Sequence, residues 1–276
     1  MRRKTGGRII PGFGVSMGIT MTFISMVVLI PMSFLALQTS SLGWSGFWRA
    51  AVDPRVLAGY EVSFLCSFTA AFINCFFGVI LAWVLTRYKF PGRRVMDGLI
   101  ELPFALPTAV AGIALTAICS DKGWIGGALA PLDIKLAYTR AGIVIALTFI
   151  TLPFIVRTVQ PVLERLDRVY EEAGLMLGAS RERIFRKIIL PEITPAILTG
   201  FGLAFARALG EYGSVVFIAG NMPFRTEIAP LLIMSKLEQF NYGEATAVAL
   251  VMLLVSSVVM FFINCVQSRA SSFIKE

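Results

Sequence analysis

The chain has 276 residues, of which 57% are hydrophobic and only 15% are charged. A soluble domain is roughly 45–50% apolar, and soluble helices keep a polar face. Here the apolar residues form long blocks with almost no polar face, which disfavours a soluble all-helical protein. The chain contains no histidine, so histidine metal ligands, a histidine general base and a Ser-His-Asp triad are excluded.

The apolar blocks approach or exceed the roughly 20 residues that a helix needs to cross a bilayer. They predict an all-α membrane protein with about six transmembrane helices, near Phe13–Leu37, Tyr60–Thr86, Leu99–Ile118, Ala141–Val159, Ala196–Ala219 and Ala245–Val266. The first block is too long for a signal-peptide core and no cleavage pattern follows it, so we interpret it as a span.

The domain organisation follows from these blocks. We expect one transmembrane domain, divided into a tail at 1–12, the first helix with an outer loop at 13–58, a core at 59–267 that includes an inner loop at 161–191, and a tail at 268–276.

The net charge of +8 indicates how the chain is oriented in the membrane. If the N-terminus is inside, the inner segments carry 17 basic and nine acidic residues, whereas the outer segments carry seven of each. Cytoplasmic loops are enriched in Lys and Arg. We therefore expect both termini to be cytoplasmic, and the basic excess does not indicate a nucleic-acid partner.

Cofactor and metal chemistry is not predicted for this chain. Cys66, Cys75, Cys119 and Cys265 fit no zinc spacing and are interpreted as small hydrophobic packing residues. No G-x-x-x-x-G-K-[ST] phosphate loop and no nucleophile–base pair occurs in the sequence. We expect no catalytic residues, no metal and no cofactor bound by the chain itself.

The inner loop 161–191 is the most informative segment. Its apolar residues recur at spacings of three and four, which predicts one apolar helix stripe made of Leu163, Leu166, Tyr170, Ala173 and Leu177. On the other face, Arg168 is four residues from both Glu164 and Glu172, a spacing that supports a helix through ion pairs.

The same loop contains signals for a turn. Gly178 can adopt the left-handed backbone that ends a helix, and Ser180 can cap the next one. We predict a second helix that ends where Pro191 stops it. Taken alone, the periodicity also fits an amphipathic helix lying on the membrane surface.

A second candidate site is the pair Arg207 and Glu211 in the fifth block. A charge deep in a membrane is costly unless it is paired or faces water, and the i,i+4 spacing allows the two residues to pair on one helix face. Two interpretations stay open: a buried ion pair that fixes helix packing, or a pair on the translocation path in which Arg207 offers charge to an anion.

The third block is interrupted by Pro103 and Pro107. Each proline removes a backbone donor and opens a helix locally, and such breaks are tolerated in membranes where they line a cavity or pack on protein. The break is interpreted either as ordinary packing or as part of the path. Glu101 is expected near the inner interface, where water can solvate it.

The loop also resembles a known signature. The order Glu172-Ala173-Gly174, three residues, Gly178, nine residues, Ile188, one residue, Leu190-Pro191 is similar to the loop of binding-protein-dependent ABC importer permeases, in which Gly174 is usually alanine. In that family the loop docks onto a separate ATPase. The resemblance implies that the coupling residues are Tyr170, Glu171, Glu172, Ala173, Gly174, Leu177, Gly178, Ile188, Leu190 and Pro191.

Longer blocks resemble the T-type permease subunit of bacterial sulfate/thiosulfate ABC importers. These blocks are Leu85–Arg93, Leu102–Gly112, Pro153–Leu163, Gly210–Gly213 and Ala219–Asn221. The resemblance implies a type I importer fold in the bacterial inner membrane. It also implies four kinds of partner: two copies of an ABC ATPase that use ATP and Mg²⁺, a second homologous permease, an extracytoplasmic sulfate-binding protein and membrane lipid.

Competing functions remain at this level. Molybdate and tungstate permeases belong to the same oxyanion branch, but they are usually shorter and lack a first helix like Phe13–Leu37. An ion-coupled secondary transporter would use Arg207 and Glu211 as an ion relay. A membrane scaffold or a membrane enzyme is disfavoured because no catalytic constellation is present.

Overall fold

The structure, a computed structural model, describes residues 13–273 and the side chains of residues 13–268. Within that range all regular elements are helices. They are α1 Phe13–Ser40, α2 Gly43–Ala51, α3 Pro54–Arg87, α4 Arg93–Ala105, α5 Thr108–Cys119, α6 Trp124–Leu129, α7 Arg140–Arg165, α8 Val169–Met176, α9 Arg181–Leu209, α10 Val215–Ile218, α11 Ala229–Glu238 and α12 Tyr242–Phe273, with a 3-10 turn at Ala130–Leu132 after α6.

The expected number of spans is confirmed. Five helices are long and apolar enough to cross a membrane: α1, α3, α7, α9 and α12. The pair α4 and α5 makes a sixth span if its bend is counted within one crossing. The predicted tail 1–12 lies outside the described residues, whereas the chain beyond 268 continues as helix to Phe273.

Two predicted boundaries of the inner loop were wrong. Helix α7 continues through Pro161 to Arg165, and α9 passes through Pro191 instead of ending there. A π-helical turn at Phe185–Ile189 precedes Pro191, and the N–H of Leu190 donates to the carbonyl of Phe185. This wider turn relieves the clash that a proline makes with the carbonyl four residues earlier.

The same arrangement occurs in α1. A π-helical turn at Ser25–Leu29 is followed by Ile30 and then Pro31, and the N–H of Ile30 donates to the carbonyl of Ser25. In both helices the wider turn comes just before the proline, so a long span continues through it.

Helices α3, α7 and α9 form the centre of the bundle. Their fully buried side chains include Leu85, Ile155, Val159, Leu163 and Ile193. Around this centre, α4 packs on α7, α5 packs on α10, and α11 packs between α3 and α12. Helix α1 packs along α12, and its apolar residues are exposed in the single chain.

A buried polar contact joins α3 to α7. Asn74 has no exposed surface, and its amide donates to the carbonyl of Thr148 (3.0 Å) and to Oγ1 of Thr151 (2.8 Å). Thr151 in turn donates to the carbonyl of Leu147. In an apolar environment each of these groups would be costly without its partner, so the contact fixes how the two helices meet.

We expect Asn74→Ala to destabilise the bundle. The substitution removes two hydrogen bonds between helices and leaves a small cavity, at a cost of about 1–2 kcal/mol. Thermal unfolding of the purified chain in mild detergent measures this loss of stability. Thr69→Ala is the matched control because Thr69 is only half-buried on the same helix and bonds only its own turn; equal losses for the two variants would contradict the prediction.

Candidate functional site

The loop between α7 and α9 is built around the short helix α8. Gly178 has a φ of +78°, and the N–H of Ala179 donates to the carbonyl of Gly174 while the N–H of Gly178 donates to that of Leu175. These two bonds form the Schellman arrangement that ends a helix at a glycine. Ser180 then accepts the N–H of Arg183. The turn and the cap predicted at these residues are confirmed.

One side of α8 faces away from the bundle. Tyr170, Met176 and Leu177 are exposed, with Leu177 at 87%, and Ala173 and Glu172 are exposed beside them. The predicted stripe is thus displayed by its last three members. Its first members do not belong to this surface, because Leu163 is buried in α7 and Leu166 is half-buried at the end of that helix.

The other side of α8 is tied to the bundle. Glu171 pairs with Arg87 at the end of α3 (2.7 Å), and Arg87 also donates to the carbonyl of Leu166. Arg168 donates to the carbonyl of Arg87. The expected pairs of Arg168 with Glu164 and Glu172 are not among the ion pairs of the described residues, because Arg168 precedes the helix and turns towards α3.

Gly174 occupies the contact between α8 and α9. It is buried, and a Cβ at this position would lie 3.0 Å from Ile184 Cγ1 and 3.5 Å from Ile188 Cδ1. The isoleucines fill the space that the alanine methyl of related loops would take. Of the expected coupling residues, Ile188 therefore supports the loop helix from behind. Leu190 and Pro191 lie further along α9.

The second candidate site lies where α9 ends. The helix stops at Leu209, so the predicted block Ala196–Ala219 was wrong as one helix, and Glu211 lies in the following turn. Its carboxylate is buried and accepts hydrogen bonds from Arg207, from the Ser214 N–H (2.9 Å) and from the Ser214 hydroxyl (3.1 Å). The predicted pair is confirmed. Glu211 also accepts the Ser214 N–H directly before α10, where the start of a helix leaves backbone donors unsatisfied.

The proline break lies against this turn. Helix α4 ends at Ala105, Leu106 is extended, Pro107 precedes α5, and the chain bends by 112°. Pro103 is buried inside α4, and Pro107 is exposed at the bend. The third block therefore breaks at Pro107 as predicted, whereas α4 continues through Pro103 to Ala105.

Two glycines permit this contact. A Cβ on Gly112 would overlap the backbone of Ser214, and a Cβ on Gly213 would overlap Thr108 Oγ1. The start of α5 and the turn after α9 therefore touch backbone to backbone. The structure thus brings the broken third block next to the Arg207–Glu211 pair, which sequence spacing had not linked.

Sequence reasoning missed the role of Arg157. This residue of α7 pairs with Asp97 (3.0 Å) and Glu101 (2.7 Å) of α4, and it donates to Gln160. Glu101 is partnered, although we expected only solvation. The signal was an arginine within the fourth apolar block, which requires a counter-charge.

Ion pairs also connect segments at the far end of the bundle, opposite α8. Arg55 makes two hydrogen bonds of 2.7 and 2.6 Å with the buried Glu227, and Arg140 pairs with Glu61. These residues belong to the predicted charge-balanced outer side. The Arg55–Glu227 pair fixes the connection before α11, and the sequence did not indicate it because the two residues are 172 positions apart.

The geometry has the parts of a transport subunit: a membrane bundle, a helix with one free face, and a charged group at a break in the spans. The family model for "binding-protein-dependent transport system inner membrane component" matches residues 75–272. The chain belongs to this family. It is a multi-pass inner-membrane permease and is not itself an enzyme.

Named relatives cover nearly the whole chain. The "sulfate transport system permease protein CysT" of Salmonella typhimurium is 48% identical over 262 residues, and that of Escherichia coli K12 is 47% identical over 262; each alignment covers 95% of both chains. The protein of the same name from Synechococcus elongatus is 48% identical over 254 residues, covering 92% of this permease and 91% of the relative.

Solved structures establish the fold. A bacterial ABC transporter involved in alginate import gives a TM-score of 0.77 at 15% identity, covering 93% of this permease and 95% of that chain. The MetNI methionine ABC transporter gives 0.59 at 16% identity, covering 79% and 97%. The type I importer fold expected from the sequence is confirmed.

We expect Gly213→Ala to destabilise the permease by about 1–3 kcal/mol, because the new methyl overlaps Thr108 Oγ1 and forces α5 away from the turn. Thr108→Ala removes that oxygen, and the nearest atom of residue 108 to the new methyl is then its Cβ, at 3.2 Å. The double variant should therefore recover part of the loss. A double-mutant cycle on thermal stability tests this, and strictly additive losses would contradict the contact.

Proposed function

We propose that this chain is the permease subunit of an ATP-driven importer that conducts sulfate and thiosulfate across the bacterial cytoplasmic membrane. The observation that carries the proposal is the near-complete coverage, at 47–48% identity, of relatives named as sulfate transport permeases. Each alignment covers 95% of the chain.

Coupling to a separate ATPase is assigned to α8 and its turn. The exposed face of Tyr170, Met176 and Leu177 is apolar, and an apolar face on a short helix suits a groove on a partner. The Arg87–Glu171 pair and the buried contact of Gly174 with Ile184 make this helix a stiff extension of α3 and α9. A movement of the partner's groove would reach the spans through these contacts. ATP and Mg²⁺ would be bound by the ATPase.

The assembly would contain two ATPase subunits, a second homologous permease and an extracytoplasmic sulfate-binding protein. A solved alginate ABC transporter of this fold is in complex with a periplasmic protein bound to an alginate pentasaccharide. For this chain, α8 would face the cytoplasm together with both termini, which agrees with the basic excess of the predicted inner segments. The far end, with its paired charges, would meet the binding protein.

The translocation path of the anion is assigned to Arg207, Glu211 and the Pro103–Pro107 break. Within the described side chains, Glu211 is the hydrogen-bond partner of the Arg207 guanidinium, whose side chain is 38% exposed. Its other N–H groups can therefore face an anion. Because Glu211 offsets much of the positive charge, an anion would be held weakly, and conduction requires binding weak enough for release.

The docking assignment predicts that Leu177→Asp reduces recovery of the ATPase with the tagged permease. Placing an unpaired charge in an apolar interface costs about 2–5 kcal/mol, which corresponds to a loss of tenfold or more. Mild-detergent pull-down with quantification of the ATPase measures it. Leu132→Asp is the control, because Leu132 is also exposed but lies near the far end. Unchanged recovery for Leu177→Asp would remove α8 from the ATPase interface.

The path assignment predicts that Arg207→Met lowers uptake of labelled sulfate by about tenfold or more, as expected when a contact of about 1.4 kcal/mol or more is lost. Arg94→Met, which removes an exposed arginine at the start of α4 that belongs to neither candidate site, should transport normally. Unlabelled thiosulfate should compete with sulfate; stronger competition by molybdate would instead identify a molybdate permease.

A second variant separates transport from folding. Arg207→Met alone leaves Glu211 buried without its cation, so we would compare it with Arg207→Met combined with Glu211→Gln. If the double variant assembles with the ATPase but does not take up sulfate, the arginine acts in the path. If the double variant regains uptake, the ion pair is structural and the path assignment is wrong.

A further inference from the structure

A cavity of about 370 Å³ lies between the end of α3 and the loop that contains α8. Most of the residues that line it are arginine or aromatic: Trp83, Arg87, Tyr88, Arg168, Arg181 and Phe185. Glu171 is its one carboxylate, and that group is already paired with Arg87. The cavity therefore presents three guanidinium groups against one carboxylate, an excess of positive charge.

Arg87 is the buried member of the three. Its side chain is 10% exposed, and its guanidinium lies 5.6 Å from the centre of the Trp83 ring, which packs edge-on against Phe185. Its Nε–H is buried with no hydrogen-bond partner among the described residues. A buried guanidinium with an unsatisfied donor is costly, and an anion in the adjoining cavity would offset that cost.

The position of the cavity along the spans indicates its surroundings. Helix α3 has 34 residues and is about 51 Å long at 1.5 Å per residue. This exceeds the bilayer thickness of about 40–45 Å including headgroups. Arg87 is the last residue of α3, and Trp83 and Tyr88 beside it are residue types enriched at membrane interfaces. A helix of this length reaches both headgroup regions, so we place the cavity near the level of the lipid phosphates.

We propose that this cavity binds the phosphate group of an acidic phospholipid, such as phosphatidylglycerol or cardiolipin. Basic pockets between transmembrane helices at the cytoplasmic surface bind acidic headgroups of this kind. Arg168 and Arg181 reach the phosphate from the loop, and Arg87 adds its charge from the end of α3. The aromatic rings and Leu175 supply apolar lining for the lipid beside its phosphate.

The site does not compete with the proposed ATPase contact. Residues 168, 171 and 175 recur at spacings of three and four, so they share one face of the α8 segment and line the cavity. Tyr170, Ala173 and Leu177 recur at the same spacings on another face, which is exposed. A bound lipid phosphate would therefore join α3 to α8 and α9 from behind the exposed face. The inference does not depend on which solute is transported.

The test uses the full-length permease with the partners that co-purify, reconstituted in nanodiscs of phosphatidylcholine with a minor fraction of phosphatidylglycerol. Native mass spectrometry after release in detergent counts the retained lipids. Wild type should retain phosphatidylglycerol in preference to phosphatidylcholine. Retention should fall about fivefold in Arg181→Gln and about 30-fold in Arg168→Gln/Arg181→Gln, since each arginine near a membrane surface contributes about a factor of five.

Arg183→Gln is the matched control, because Arg183 is an exposed arginine of the same loop that does not line the cavity. It should retain lipid as wild type does. Equal retention by the double variant and this control would overturn the proposal, as would retention of phosphatidylcholine equal to that of phosphatidylglycerol. Displacement of the lipid by millimolar inorganic phosphate would identify a site for free phosphate instead. None of these outcomes depends on sulfate uptake.

Discussion

The buried carboxylate of Glu211 is the contact on which the middle of the bundle depends. It accepts the Arg207 guanidinium and both donors of Ser214, at a point where α9 ends inside the protein. Helix ends leave backbone donors and acceptors without partners, and in a membrane there is little water to supply them. One side chain thus satisfies a backbone donor at the start of α10 and also holds Arg207 beside the break.

The neighbouring break in the third block avoids unsatisfied backbone groups in a different way. Proline removes donors that would otherwise need partners, so the bend at Leu106–Pro107 leaves fewer unsatisfied groups. Gly112 and Gly213 then allow α5 to approach the turn after α9 without side chains between them. Two interrupted spans consequently support each other, and the charged pair is placed between segments that are not continuous helices.

The loop helix α8 combines a fixed face with a free face. Ion pairing with Arg87 and the packing of Gly174 on Ile184 hold one side, while Tyr170 and Leu177 remain exposed on the other. A helix of eight residues is marginal by itself, so its order comes from these tertiary contacts. The result is a helix face whose position is fixed by the bundle.

The sequence by itself determined the membrane class, the number of spans, the turn at Gly178 and Ser180, and the Arg207–Glu211 pair. These features depend on local physics: apolar length, glycine conformation, capping and i,i+4 spacing. The family could also be recognised from the sequence, because the fixed spacing from Glu172 to Pro191 is a local pattern.

Only the tertiary structure decided which helices continue and which break. Pro161 and Pro191 were expected to bound the loop, yet both lie within helices, because a π-helical turn and packing on the central helices compensate for the proline. The partners of Arg157, Arg87 and Glu227 also came only from the fold. Each pairs with a residue distant in sequence, and a charge indicates that a counter-charge is needed without indicating where it lies.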